Sequence, residues 1–178
     1  MTIDANTDKH AGPPLPLGED DVTPDIDLTA KKPLRLGVAL LDTPWCHGGD
    51  GELIRVCAED LRGLGQKVRA ARREHPDCDV VVDIDVVIAE EARDARAAVA
   101  AAGDVPDHGT LRYVGTAAGL AGLVADLYAL GLSDGAMLIP LLRTDGEQTC
   151  ALIRDVVVPK LASLLPDDAV QHRPSRPA

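Results

Sequence analysis

The sequence has no Phe, and aromatic residues make up only 2% of it: Trp45, Tyr113 and Tyr128. A core must therefore bury its area through many Ala, Val, Leu and Ile side chains rather than a few large rings. Positive charge is scarce as well. There are 18 Lys and Arg against 29 Asp and Glu, a formal net charge of −11, which argues against a nucleic-acid partner because phosphate binding needs clustered cations. No apolar run approaches the ~20 residues of a membrane span, so no membrane partner is expected. The N-terminus lacks a basic stretch followed by an apolar core, so no secretory signal is expected either. Cys46, Cys57, Cys78 and Cys150 are scattered and form no C-x-x-C pair, which predicts reduced thiols in a cytoplasmic protein. The histidines show no H-E-x-x-H spacing, and His75, His108 and His172 read as loop or tail residues, so no metal is expected. The glycines form neither a G-x-G-x-x-G fingerprint nor a Walker loop.

What is present is one domain of α/β character. The 178 residues are enough for a core but fewer than the ~250 of a complete eight-stranded barrel. Residues 1–33 read as a disordered extension rich in Asp, Thr, Gly and Pro, residues 34–165 as the folded domain, and residues 166–178 as a disordered tail. The first strand is predicted at Leu34–Leu41, ending at Asp42-Thr43-Pro44, with Trp45 to Gly49 as a loop. Asp50 is a candidate cap for a helix whose stripe runs Leu53, Cys57, Leu61, Leu64, Val68, Ala71, with Arg69, Arg72 and Arg73 near its C-terminus and Pro76 as its stop. A second strand is predicted at Val80–Ala89 and an Ala-rich helix at Glu90–Ala102.

The stretch from Tyr113 to Leu142 is the most regular part of the chain. Leu111–Gly115 reads as a strand, Thr116 as the N-cap of a helix with Leu120, Leu123, Val124, Leu127 and Leu130 on one face, and Gly131 as its left-handed C-cap. A strand at Ala136–Leu142 closes this βαβ unit, whose crossover should be right-handed. The three later strands are expected to be parallel neighbours in chain order. Ile153, Val156, Val157, Leu161 and Leu164 are expected to line the buried side of the last helix, with Pro159 kinking or restarting it.

The same stretch resembles the closing unit of the luciferase-like flavin-dependent monooxygenases. The shared features are Val114-Gly115-Thr116, a helix, Gly131-x-x-Asp-Gly and an apolar strand, then Asp155-Val-Val-Val-Pro159-Lys-Leu161, with Val80 to Val99 similar to the preceding strand and helix. The likeness spans roughly Glu52 to Leu165, and Leu34 to Leu41 is similar to that family's first barrel strand. The resemblance implies a partial, truncated TIM-barrel-like parallel sheet with helices, reduced FMN as cofactor and oxidoreductase chemistry. Only about ten residues separate the first strand from Glu52, where several βα units would lie in a full barrel, so no catalytic residue carries over. Two functions remain open: a compact or degenerate flavin-dependent oxidoreductase, or a non-catalytic interaction protein derived from the family. A cut barrel leaves sheet edges exposed, which predicts a homo-oligomer or a complex with a full-length luciferase-like partner.

If FMN binds, the C-terminal ends of the strands are the expected place. They gather Trp45 as a stacking face, His47 as a pocket residue, Asp85, Gly115 and Thr116 at a helix start, and Arg143 as a cation for an anionic group. Asp83 and Asp85 share one strand face. Such a pair can hold a cation or drive two carboxyl pKa values apart, or it can simply be hydrated or hydrogen-bonded.

Overall fold

In the computed structural model the described residues are 32–39, 45–47, 51–142 and 146–166, all within one compact unit, Lys31–Ala178. The predicted extension lies outside them apart from Lys32 and Pro33, as does the tail beyond Pro166. The elements are β1 (Arg35–Val38), β2 (Trp45–His47), β3 (Leu53–Val56), α1 (Leu61–Glu74), β4 (Asp79–Ala89), α2 (Ala92–Ala102), β5 (Leu111–Thr116), α3 (Ala117–Ala129), β6 (Gly135–Pro140), α4 (Gly146–Leu152), one π-helical turn (Ile153–Val157) and α5 (Val158–Leu164). The class is α/β, with a mainly parallel sheet.

The sheet order is β2-β1-β6-β4-β3, with β5 also on β4. Every pairing is parallel except β1–β2. The β-strands β3, β4, β6 and β1 thus follow one another as in an arc of a β/α barrel, with the first strand of the chain lying against the last. The helices agree. Leu64 and Val68 of α1, Leu120 and Val124 of α3, and Ile153, Val157 and Leu161 near the C-terminus share one core with Val80, Val82, Ile84 and Val86. The helices α1 and α3 that lead into β4 and β6 therefore lie on one face, the outer wall of a partial TIM-barrel-like sheet. Among the described residues the arc ends at β3 on one side and at β2 on the other.

One glycine makes the first-to-last contact possible. Gly135 stands opposite Arg35, and a Cβ there would run into the Arg35 carbonyl. Beside it, Asp134 ties three elements together at the N-terminal ends of the strands. Its carboxylate takes Arg72 Nη2 of α1 at 2.7 Å and the Val80 amide of β4 at 2.8 Å. Charge-assisted bonds of this kind are the stronger class of hydrogen bond.

Several expected details hold. Thr116 Oγ1 accepts from the Gly119 amide at 3.1 Å, Gly131 has φ 67°, and the last helix restarts at Val158, with Pro159 in its first turn after the π-helical turn. Three expectations are corrected. First, β5 and β6 are not neighbours, because β4 lies between them. At 11 residues, β4 pairs β6 along one edge, and along the other it pairs β3 with its first half and β5 with its second. The segment α2–β5 is thus an addition at the upper end of the arc, and Ala95 of α2 packs with Val87 and Leu141 on the face opposite the other helices.

Second, Leu53–Val56 is a strand and not the first turn of a helix. The helix starts only at Leu61, with Asp60 in place of Asp50 as its cap, accepting from the Gly63 amide at 2.6 Å. Leu53, Cys57 and Leu61 happen to share helical spacing, while the pairing with Asp79–Val82 decides the conformation. Third, Trp45-Cys46-His47 is not a loop: its backbone runs antiparallel to β1, with Trp45 opposite Val38 and His47 opposite Leu36. Of the predicted first strand, residues 40 and 41 lie outside the described residues, and so does Asp50.

Candidate functional site

Strict alternation along β4 puts Val80, Val82, Ile84, Val86 and Ile88 against the helices and turns Asp79, Val81, Asp83, Asp85 and Val87 to the inner face. Asp83 and Asp85 are both buried on that face. Buried carboxylates are tolerated only when paired, and each here has a hydrogen-bonding partner from a different part of the chain. Asp79 meets Lys32 at 3.3 Å and Arg35 of β1 at 3.5 Å. Asp83 takes a two-pronged bond from Arg55 of β3, Nε to Oδ1 at 2.8 Å and Nη2 to Oδ2 at 2.9 Å. Asp85 meets His108, from the segment between α2 and β5.

Parallel register explains why His108 arrives there. Leu111 pairs with Ile84 and Arg112 with Asp85, so the residues just before β5 must turn over the inner face. That turn is locally braced. Asp107 Oδ1 accepts from the Gly109 amide at 3.1 Å, Gly109 has φ 64°, and Arg112 Nη2 donates to the Pro106 carbonyl at 2.7 Å. His108 Nδ1 lies 2.9 Å and 3.1 Å from the two oxygens of Asp85. An ionised carboxylate only accepts, so Nδ1 carries the proton, and in the neutral ring Nε2 keeps its lone pair. The Asp85 side chain is 1% exposed and that of His108 45% exposed. A buried anion thus orients an imidazole whose outer nitrogen has no partner among the described residues.

Cys57, one residue past β3, donates its thiol to Asp83 Oδ2 at 3.3 Å. Burial pushes this thiol's pKa up, and the hydrogen bond and charge of Asp83 push it further. It is therefore a proton donor to Asp83 and not an activated nucleophile. Cys57, Cys78 and Cys150 are all free thiols. Among the described residues two buried side-chain polar atoms have no partner, Arg35 Nε and Thr110 Oγ1. A cavity of ≈ 10 Å³ lies beside Arg35, lined also by Gly37, Leu53, Val81 and Met137, about the room one water needs.

Of the six residues expected to hold FMN, the five described ones lie at separate places along the sheet. Trp45 and His47 are on β2, which β1 and β6 separate from β4. Asp85 lies mid-strand on β4, while Thr116 is opposite Ala89, four residues and about 13 Å further along the strand. Gly115 and Thr116 are adjacent, and Arg143 lies outside the described residues. Nor do the described members fit a flavin by themselves. A Cβ on Gly115 would sit 2.8 Å from the Tyr113 hydroxyl, so the space there is filled by the chain's own ring. Thr116 is occupied as a helix cap, its carbonyl accepts from Tyr113 Oη at 3.0 Å, and Asp85 is held by His108. The residues missed from sequence are Arg55, Cys57 and His108. The one available signal for His108 was its place, three residues before a strand that pairs with the carboxylate-bearing one. No protein-family model matches the chain, and no curated protein matches it.

Proposed function

We propose that this chain is the closing arc of a flavin-dependent, luciferase-like oxidoreductase barrel, which engages FMN only in an assembly that supplies the missing strands. The observation that carries the reading is the parallel pairing of β1 with β6, with α1, α3 and α5 all on the outer side. A chain whose first strand completes its last is organised as a barrel is, even with the middle strands absent. The sequence resemblance over Glu52 to Leu165 points to the same architecture, and a second copy or a full-length luciferase-like chain are the two suppliers it allows.

The test is sedimentation of the purified protein with FMN, monitored in the visible band of the flavin, alone and with a full-length luciferase-like oxidoreductase. Flavin is expected to travel with a species larger than the monomer and to be lost on Trp45→Leu with Arg143→Ala. Absence of co-sedimenting flavin under every condition refutes the reading. Equal binding by the double variant refutes only the placement of the site.

A second reading, a non-catalytic partner derived from the same family, is favoured by the engagement of Gly115, Thr116 and Asp85 within the chain. It predicts a complex with the full-length enzyme in which this chain adds no flavin.

A further inference from the structure

We propose that Asp85 and His108 form a proton-transfer pair that acts on water attacking a small uncharged ester, with His108 as the catalytic base and Asp85 as its positioning residue. The inference stands apart from the flavin reading and needs no cofactor. It rests on three features of the inner face.

The first is geometry. Both oxygens of Asp85 bind Nδ1, at 2.9 Å and 3.1 Å, which fixes the ring plane and the tautomer together. A buried carboxylate in this position also stabilises the imidazolium that forms when Nε2 takes a proton, the role of the acid in hydrolase triads. The second is access. The carboxylate is sealed at 1% exposure while the imidazole is 45% exposed, so the ring reaches the medium and its orienting partner does not. The third is rigidity. The Asp107–Gly109 turn and the Arg112–Pro106 bond brace the backbone on both sides of His108.

The neighbouring groups decide the substrate class. Asp83 on the same strand face is neutralised by Arg55 and accepts from the Cys57 thiol, so neither supplies a nucleophile. Asp107 is beside His108 in sequence, and a Cβ on Gly109 would lie 3.9 Å from Glu59 Oε1. Arg112, the nearest cation on β5, is spent on the Pro106 carbonyl. An anionic phosphate ester would meet acidic groups here with no free cation among these described residues, whereas a neutral acyl ester meets no such barrier. Among the described residues no Ser or activated Cys meets Nε2, and the attacking group is water. As its oxygen bonds to the carbonyl carbon, Nε2 takes one proton. The adduct then collapses with cleavage of the C–O bond to the leaving alcohol, and the imidazolium returns its proton to that alcohol or to solvent. No electrons change hands, and the products are the acid and the alcohol.

The experiment uses the full chain, p-nitrophenyl acetate as the probe and no flavin, so its failure leaves the flavin reading untouched. The release of p-nitrophenolate is followed against pH for the wild type, His108→Gln, Asp85→Asn and, as a control, His75→Gln. General-base assistance is worth about 10² to 10⁴ in rate, so His108→Gln is expected to lose about a hundredfold and the His75 variant nothing. Nitrogen NMR of the wild type, which needs no variant to fold, should show the neutral ring protonated at Nδ1, and Asp85→Asn should abolish that preference along with the rate. A wild-type rate equal to buffer, an unchanged rate in His108→Gln, or a neutral ring protonated at Nε2 would each overturn the proposal.

Discussion

Removing Arg55 should expose how much the inner face depends on paired charge. Its guanidinium bridges both oxygens of Asp83, and the Asp83 side chain is 7% exposed against 43% for Arg55. Two unit charges about 4 Å apart at an effective dielectric constant near 20 attract by about 4 kcal/mol. The exposed guanidinium is partly screened, which roughly halves that figure. Arg55→Met leaves Asp83 with only the Cys57 thiol, so a loss of about 2 kcal/mol is expected, or about 4–8 °C in Tm for a domain of this size. Asp83→Asn removes the buried charge together with its need for a partner and should cost less. Arg55→Met added to Asp83→Asn should then cost little more. Urea unfolding of the two single variants and the double variant gives the coupling directly. A coupling energy below about 0.5 kcal/mol would refute the claim that the pair holds β3 against β4.

The Cys57 thiol is held above its ordinary value of 9.0, first by burial and then by Asp83. The folded state therefore favours the protonated thiol, and this contribution is complete below pH 9.0 and lost as pH rises through the folded-state value. Unfolding titrations should show an alkaline loss of stability that Cys57→Ala removes, and Asp83→Asn should speed alkylation of Cys57 at fixed pH. Gly119→Ala would drive its new methyl group into the Tyr113 hydroxyl. Overpacking of this kind costs about 1–3 kcal/mol. Adding Tyr113→Phe removes the obstructing oxygen, so thermal melts should show the double variant more stable than Gly119→Ala alone, and a simple sum of the two losses would count against the contact.

The parts of the fold legible in the sequence are those where one strong pattern stood alone. β4 shows alternation over many residues, and α3 carries both a capping Thr116 and a terminating Gly131. β3 was hidden because its 4 residues run into Cys57 and Leu61 at helical spacing, and only the ladder with β4 makes them extended. The position of β5 was hidden for a different reason. Whether a crossover adds a strand beside β4 or beyond it depends on how much of each β4 edge is already taken, which is a property of the assembled sheet. The candidate site inherited both gaps. The carboxylates were visible from their spacing, but Arg55 comes from the strand read as a helix and His108 from a turn whose destination only the register sets.

Those pairings do more to select an arrangement than to add stability. Ile54 and Val56 join the helix-side core, so Arg55 must face inward, and a slip of β3 by one residue would turn the guanidinium into that core and strand the Asp83 charge. The same argument holds at the other side of β4, where Arg35 faces Asp79 from β1 while Leu34, Leu36 and Val38 face the helices. An apolar inner face of similar volume would hold the strands about as well and would cost less desolvation. It would not, however, distinguish the correct registers of β3 and β1 from their neighbours two residues away, because aliphatic rows of this kind are nearly interchangeable. The carboxylates of β4 break that degeneracy from the middle of the sheet. Asp85 differs from the other two in that its partner comes from a loop and not from a strand, so it fixes no register. That is the physical ground for treating Asp79 and Asp83 as architecture and Asp85 with His108 as the place to look for chemistry.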